Sequence, residues 1–75
     1  MSEKLPRVTA KQLIRIVESL GFQLVRQSGS HMVFRNNDAK RIVIPYHTGK
    51  SLHPKIVSSI IKDIGLSIED FKRML

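Results

Sequence analysis

Apolar positions along this chain change their period several times, and each change marks an element. Ala10, Leu13, Ile14, Val17 and Leu20 recur at helical spacing, with Lys11, Gln12, Arg15 and Glu18 on the other faces. Thr9 stands ahead of them with a hydroxyl that can accept the N–H three residues on, and Gln12 can reach back, so a capping box starts a helix there. Gly21 supplies the left-handed residue that ends it. Residues 22–27 then read as a strand, because Phe, Val and Leu follow directly on a helix-ending glycine. Ser28 and Gly29 are turn chemistry. A second strand over 30–35 puts Met32 and Phe34 on one face and His31, Val33 and Arg35 on the other, and the short connection predicts a hairpin. Asn36, Asn37 and Asp38 make the next turn. In a third strand over 41–46, Ile42, Ile44 and Tyr46 share a face, and Pro45, which has no N–H, must end that strand or hold it at an edge.

A loop over 47–53 follows. Pro54 opens a second helix, where its missing N–H would be unpaired anyway. Ile56, Val57, Ile60, Ile61 and Ile64 form its core stripe, and Gly65 ends it. Ser67 and Asp70 repeat the capping-box pattern before a short last helix, with Ile68, Phe71 and Leu75 turned to the domain. Residues 1–8 read as an extended arm, since Pro6 biases its neighbours away from helix. The order is helix, three strands, helix and a short helical tail, an α+β fold with an antiparallel meander. One layer of helices covers one face of such a sheet. If Met32 and Phe34 face the helices, His31, Val33 and Arg35 occupy the open face or its edge.

Composition narrows the function classes. Seventy-five residues predict one domain spanning 1–75, without internal repeats or low-complexity segments. A chain of this size buries only about 60% of its unfolded surface, and a hydrophobic content of 41%, well spread, is enough for a core. With no cysteine, disulfides and cysteine-based metal or redox sites are excluded. No apolar run approaches the ~20 residues that span a bilayer, and no signal-peptide core is present, so the expectation is a soluble, cytoplasmic protein without a membrane partner. Thirteen Lys and Arg against six Asp and Glu give a net charge of +7. Lys and Arg release condensed counterions from phosphates, so a polyanion is the natural partner. An acidic protein would be attracted too.

Candidate chemistry concentrates on one histidine. Gly49-Lys50-Ser51 suggests a phosphate loop, but that motif needs a further glycine five positions earlier, where Ile44 stands. Lys50 remains an ordinary candidate phosphate contact. His31, His47 and His53 match no metal-ligand spacing, and neither metal nor cofactor is expected. His53 suits a helix start, and His47 suits ordering of the loop. His31 differs, because it follows a Ser-Gly-Ser turn that lets a ligand approach the backbone at Gly29 and Ser30. Arg26, Arg35 and Arg41 lie on neighbouring strand segments. An imidazole can both take and give a proton near neutral pH. Attack of a ribose 2′-OH on its adjacent phosphate needs that transfer, together with positive charge on the developing phosphorane. The other readings are an exposed histidine with no task, a non-catalytic RNA-binding module on the same basic surface, and an interaction domain for an acidic protein.

The chain resembles the HicA family of type II toxin–antitoxin systems, also called YcfA-like proteins. The resemblance rests on Lys4-Leu5-Pro6-Arg7-Val8, Leu20-Gly21-Phe22, Gly29-Ser30-His31 with Phe34, Ile44-Pro45 with His47 and Gly49-Lys50, and the isoleucine-rich helix ending at Gly65 before Ser67-Ile68-Glu69-Asp70-Phe71. It implies a double-stranded-RNA-binding-domain-like fold. It also implies a ribosome-independent endoribonuclease acting on mRNA, a toxin that halts growth and is held inactive by a HicB-type antitoxin. The functional histidine of the family carries over onto His31. Arg26, Arg35 and Lys50 are then candidates for gripping phosphate, and Gly29 and Ser30 for positioning the backbone. In domains of this fold much of the RNA binding comes from the second helix, which adds Lys55 and Lys62 as further candidate contacts.

Overall fold

The computed structural model describes residues 5–47 and 50–75; residues 1–4 of the N-terminal arm, and Thr48 and Gly49 of the loop motif, lie outside them. The elements are α1 (Ala10–Ser19), β1 (Gln23–Ser28), β2 (His31–Arg35), β3 (Arg41–Pro45), α2 (Pro54–Asp63) and α3 (Ile68–Met74). Three antiparallel strands in the order β1-β2-β3 form one sheet. This is the α+β, double-stranded-RNA-binding-domain-like architecture.

Each helix begins where its cap chemistry dictates. The Gln12 N–H donates to Thr9 Oγ1 (3.2 Å) while the Thr9 N–H donates to Gln12 Oε1 (2.9 Å), the complete box. His53 caps α2, its Nδ1 accepting the Lys55 N–H at 3.1 Å, and Pro54 opens the helix. Ser67 Oγ accepts the Asp70 N–H at 3.1 Å, but the Asp70 carboxylate lies 3.8 Å from Arg73 Nη1 and only half of that box forms. Both long helices stop alike. The Gly21 N–H donates to Glu18 O and the Phe22 N–H to Val17 O; Gly65 and Leu66 repeat this onto Lys62 O and Ile61 O. That is the Schellman pattern, and Gly21 (φ +94) and Gly65 (φ +77) hold its left-handed position.

The core lies between the helices and one sheet face. Leu13, Ile16 and Val17 of α1, Phe34, Ile42 and Ile44 of the sheet, Val57, Ile60 and Ile61 of α2, and Phe71 of α3 are all buried. Val8 joins them, since the Leu52 N–H donates to its carbonyl (2.7 Å) and Thr9 bridges Ser51, which ties the extended arm to the loop before α2. Three expected core positions differ, one being Ile68, which is only half-buried and outside the core cluster. Leu20 is the α1 C-cap and is 38% exposed, because the Schellman turn swings it off the stripe, while Ile16, outside the expected stripe, is buried. Leu75 is 45% exposed beyond the last turn of α3, and Met74 packs on the core in its stead.

Candidate nucleic-acid interface and active site

The sheet register sets the site. Ser28 pairs with His31, so Gly29 and Ser30 form a two-residue connection. Gly29 has φ +57 and Ser30 stays out of positive φ, as a type II′ turn requires, and that turn matches the twist of the strands it joins. No heavy atom lies within 4 Å of where a Gly29 Cβ would stand, so the space above the turn is open. His31 also pairs with Pro45. The Tyr46 N–H donates to Ser30 O at 2.6 Å, and the ladder alternates, so His31 and Pro45 form a non-hydrogen-bonded pair with close side chains.

Met32 and Phe34 turn to the helices together with Ile44 and Ile42. The opposite face therefore carries three rows across the sheet: Ser28, His31 and Pro45; Arg26, Val33 and Val43; Gln23, Arg35 and Arg41. His31 is exposed on the central strand, in the middle of this face at its hairpin end. Val33 lies outside the core cluster yet is only 8% exposed. A register shift between Leu24 and Arg26 makes Val25 the extra, unpaired residue of a bulge, so that Arg26 pairs with Val33. The open face is thus a small apolar strip with an imidazole at one end and two arginines at the other.

Distances rank the cations. Arg26 is diagonal to His31 across the β1–β2 pair, a spacing of about 7–8 Å. Arg35 is four residues along the same strand, roughly 13 Å away. Arg26 is therefore nearer to His31 than Arg35 and its cross-strand neighbour Arg41 are. Lys50 is exposed in the loop that leaves β3 beside His31, where its N–H donates to His47 O at 3.2 Å. Lys55 and Lys62 are exposed on α2, in the helix layer across the sheet from His31, and are not gathered with it. A groove of about 410 Å³ between β3 and α2, lined in part by Ile56, Ser59 and Ile60, also lies away from the imidazole.

Of the remaining histidines, His53 is occupied as the α2 cap. His47 is exposed and directly follows the Tyr46 that bonds to Ser30, which brings it to the His31 end of the sheet. Its sequence reading as a loop-ordering residue missed that proximity; the available signal was the alternation Ile44, Pro45, Tyr46, His47 carried past the proline. Among the described residues, no three potential ligand side chains are grouped for a metal ion, and no helix is long and apolar enough to cross a membrane.

A family model described as the HicA toxin of bacterial toxin–antitoxin systems matches residues 10–66, more than half of the chain. That span runs from the first residue of α1 to the residue after Gly65 and includes the whole sheet and the Gly29-Ser30-His31 turn. No curated protein matches the chain significantly.

Proposed function

The chain belongs to the HicA toxin family of bacterial toxin–antitoxin systems, and on that footing we propose that it is a metal-independent endoribonuclease cleaving mRNA through His31. The observation that carries this reading is an exposed imidazole on the central strand, at the hairpin end of a helix-free sheet face, beside an open Gly29 turn and diagonal to Arg26. His31 takes the proton from a ribose 2′-OH as that oxygen attacks the adjacent phosphorus, or delivers one to the 5′-oxygen as it leaves. Arg26 stabilises the charge that grows on the phosphorane. The open Gly29–Ser30 backbone admits the chain, and Arg35 and Lys50 hold phosphates to either side. An extended polymer suits such a surface better than an enclosed pocket does. A HicB-type antitoxin neutralises the toxin by covering this face, which is small enough for one partner to occlude.

Substitution of His31 by Ala tests the assignment. The side chain is exposed and outside the core, so the fold and most of the RNA affinity persist while RNA cleavage and growth arrest are lost. Cleavage at the wild-type rate by His31→Ala would refute the catalytic role of His31, whereas RNA binding without cleavage by the wild-type chain would leave a non-catalytic RNA-binding module on the same basic face.

A further inference from the structure

One imidazole serves one proton transfer at a time, whereas cleavage by a 2′-OH needs two. The O2′–P bond forms as the 2′ proton departs, and the P–O5′ bond breaks as the 5′-oxygen gains a proton. We propose that His47 is the second proton-transfer residue, working across the scissile phosphate from His31. The inference rests on the nuclease reading above and extends it to a residue which that reading leaves unused.

The argument is one of register. β2 and β3 pair His31 with Pro45 and Met32 with Ile44. Ile44 is fully buried against the helices, so Pro45 faces away from them, toward the side of His31. The Tyr46 N–H donates to Ser30 O at 2.6 Å, which carries the pairing one residue past the proline, and Tyr46 packs against the core. Alternation then places His47 on the open face, two residues beyond the partner of His31. Diagonal neighbours in a strand pair stand about 7–8 Å apart, somewhat less at Cβ, and His47 continues that line two residues past the end of β3. Two imidazoles at that separation can straddle one phosphodiester, each within a hydrogen bond of ~2.6–3.2 Å from its own oxygen.

The backbone at His47 is anchored as well, because its carbonyl accepts the Lys50 N–H at 3.2 Å. His47 is exposed, so its ring is not consumed in the core. His53 offers the contrast, since its Nδ1 is spent on capping α2. In the balanced step one histidine enters neutral and gains the 2′ proton, and the other enters protonated and gives its proton to O5′. The products are a 2′,3′-cyclic phosphate and a free 5′-hydroxyl, and no oxidant, metal or water is consumed.

The test compares His47→Ala, His31→Ala and, as a control, His53→Asn, which keeps a capping acceptor. The substrates are a short oligoribonucleotide and the same oligonucleotide with sulfur in place of the scissile 5′-oxygen, a leaving group that needs no protonation. The expected result with the ordinary substrate is a ~10²–10⁴-fold loss of rate in His47→Ala, the range of a general acid or base, with an unchanged melting temperature. One limb of the pH–rate profile disappears with it, and His53→Asn cleaves as wild type. The sulfur substrate restores whichever of the two alanine variants lacks the acid and leaves the other slow. Wild-type cleavage by His47→Ala, or alanine variants that respond alike to the sulfur substrate, would overturn the assignment of His47. Cleavage at the wild-type rate by His31→Ala would instead overturn the role of His31, and no cleavage by the wild-type chain would overturn the nuclease reading itself, so the failures are distinguishable.

Discussion

At the scale of single residues, the clearest tension in the backbone is at Ala39. It has φ +63, the only positive value among the described residues other than glycine. The hairpin between β2 and β3 requires it there. The Asn36 side chain accepts the N–H groups of Asp38 (3.1 Å) and Lys40 (2.8 Å), the Asn36 N–H donates to Lys40 O, and the three intervening residues must close with one left-handed position. A Cβ in that region costs about 1–2 kcal/mol, so Ala39→Gly should stabilise the protein, less the larger unfolded-state entropy of glycine, by up to about 1 kcal/mol. A higher midpoint in urea with an unchanged slope would report it. Asn36, Asn37 and Asp38 announce this turn in the sequence, but nothing there marks Ala39, because the left-handed position depends on how many residues the closed ladder leaves free. His31 was legible for the opposite reason. Its glycine-serine turn and strand parity are local, and they place the side chain before any partner strand is known.

Elements divide in the same way between local and partner-dependent features. The Thr9–Gln12 box is a local signal, and both of its bonds form. Thr9→Ala should therefore lower stability by about 1 kcal/mol while leaving the register of the sheet, and with it His31, in place. Chemical denaturation measures the loss, and an unchanged cleavage rate separates cap from site. The second box, at Ser67, has Asp where the first has Gln, and it forms only its Ser67 half: the Asp70 side chain is one methylene shorter, and its carboxylate lies 3.8 Å from Arg73 Nη1. Helix stripes were readable except at the ends: the Schellman turn removes Leu20 from the core, and its geometry is not part of a 3.6-residue period. In β1 every residue is exposed, Leu24 (44%) and Val25 (54%) included, so no burial alternation existed to be read. The bulge at Val25 follows from pairing with β2. That one inserted residue decides that Arg26, rather than Val25, opposes Val33 and stands diagonal to His31.

For the molecule as a whole, the proposed nuclease function raises the question of which side would carry the RNA. A net charge of +7 draws a polyanion to any face, and two basic surfaces compete across the sheet: the open face with Arg26, Arg35 and Arg41, and the helix layer with Lys55 and Lys62. Modules of this fold that bind duplex RNA use the helix side, whereas a nuclease whose imidazole stands on the open face must draw its strand across that face. Counterion release separates the two. For single-stranded RNA each phosphate contact adds about 0.7 to the slope of log affinity against log salt. Measured in a His31→Ala background, so that the RNA stays intact, Arg35→Ala should reduce that slope by about 0.7, and Lys62→Ala should leave it unchanged. Arg26→Ala should lower the slope similarly and also, in the otherwise wild-type chain, slow cleavage more than Arg35→Ala does, because it is the diagonal neighbour of the imidazole while Arg35 is roughly 13 Å along the strand. A slope that responds to Lys55 or Lys62 and ignores Arg26 and Arg35 would move the RNA to the helix layer, and the imidazole would then lie on the face opposite to its substrate.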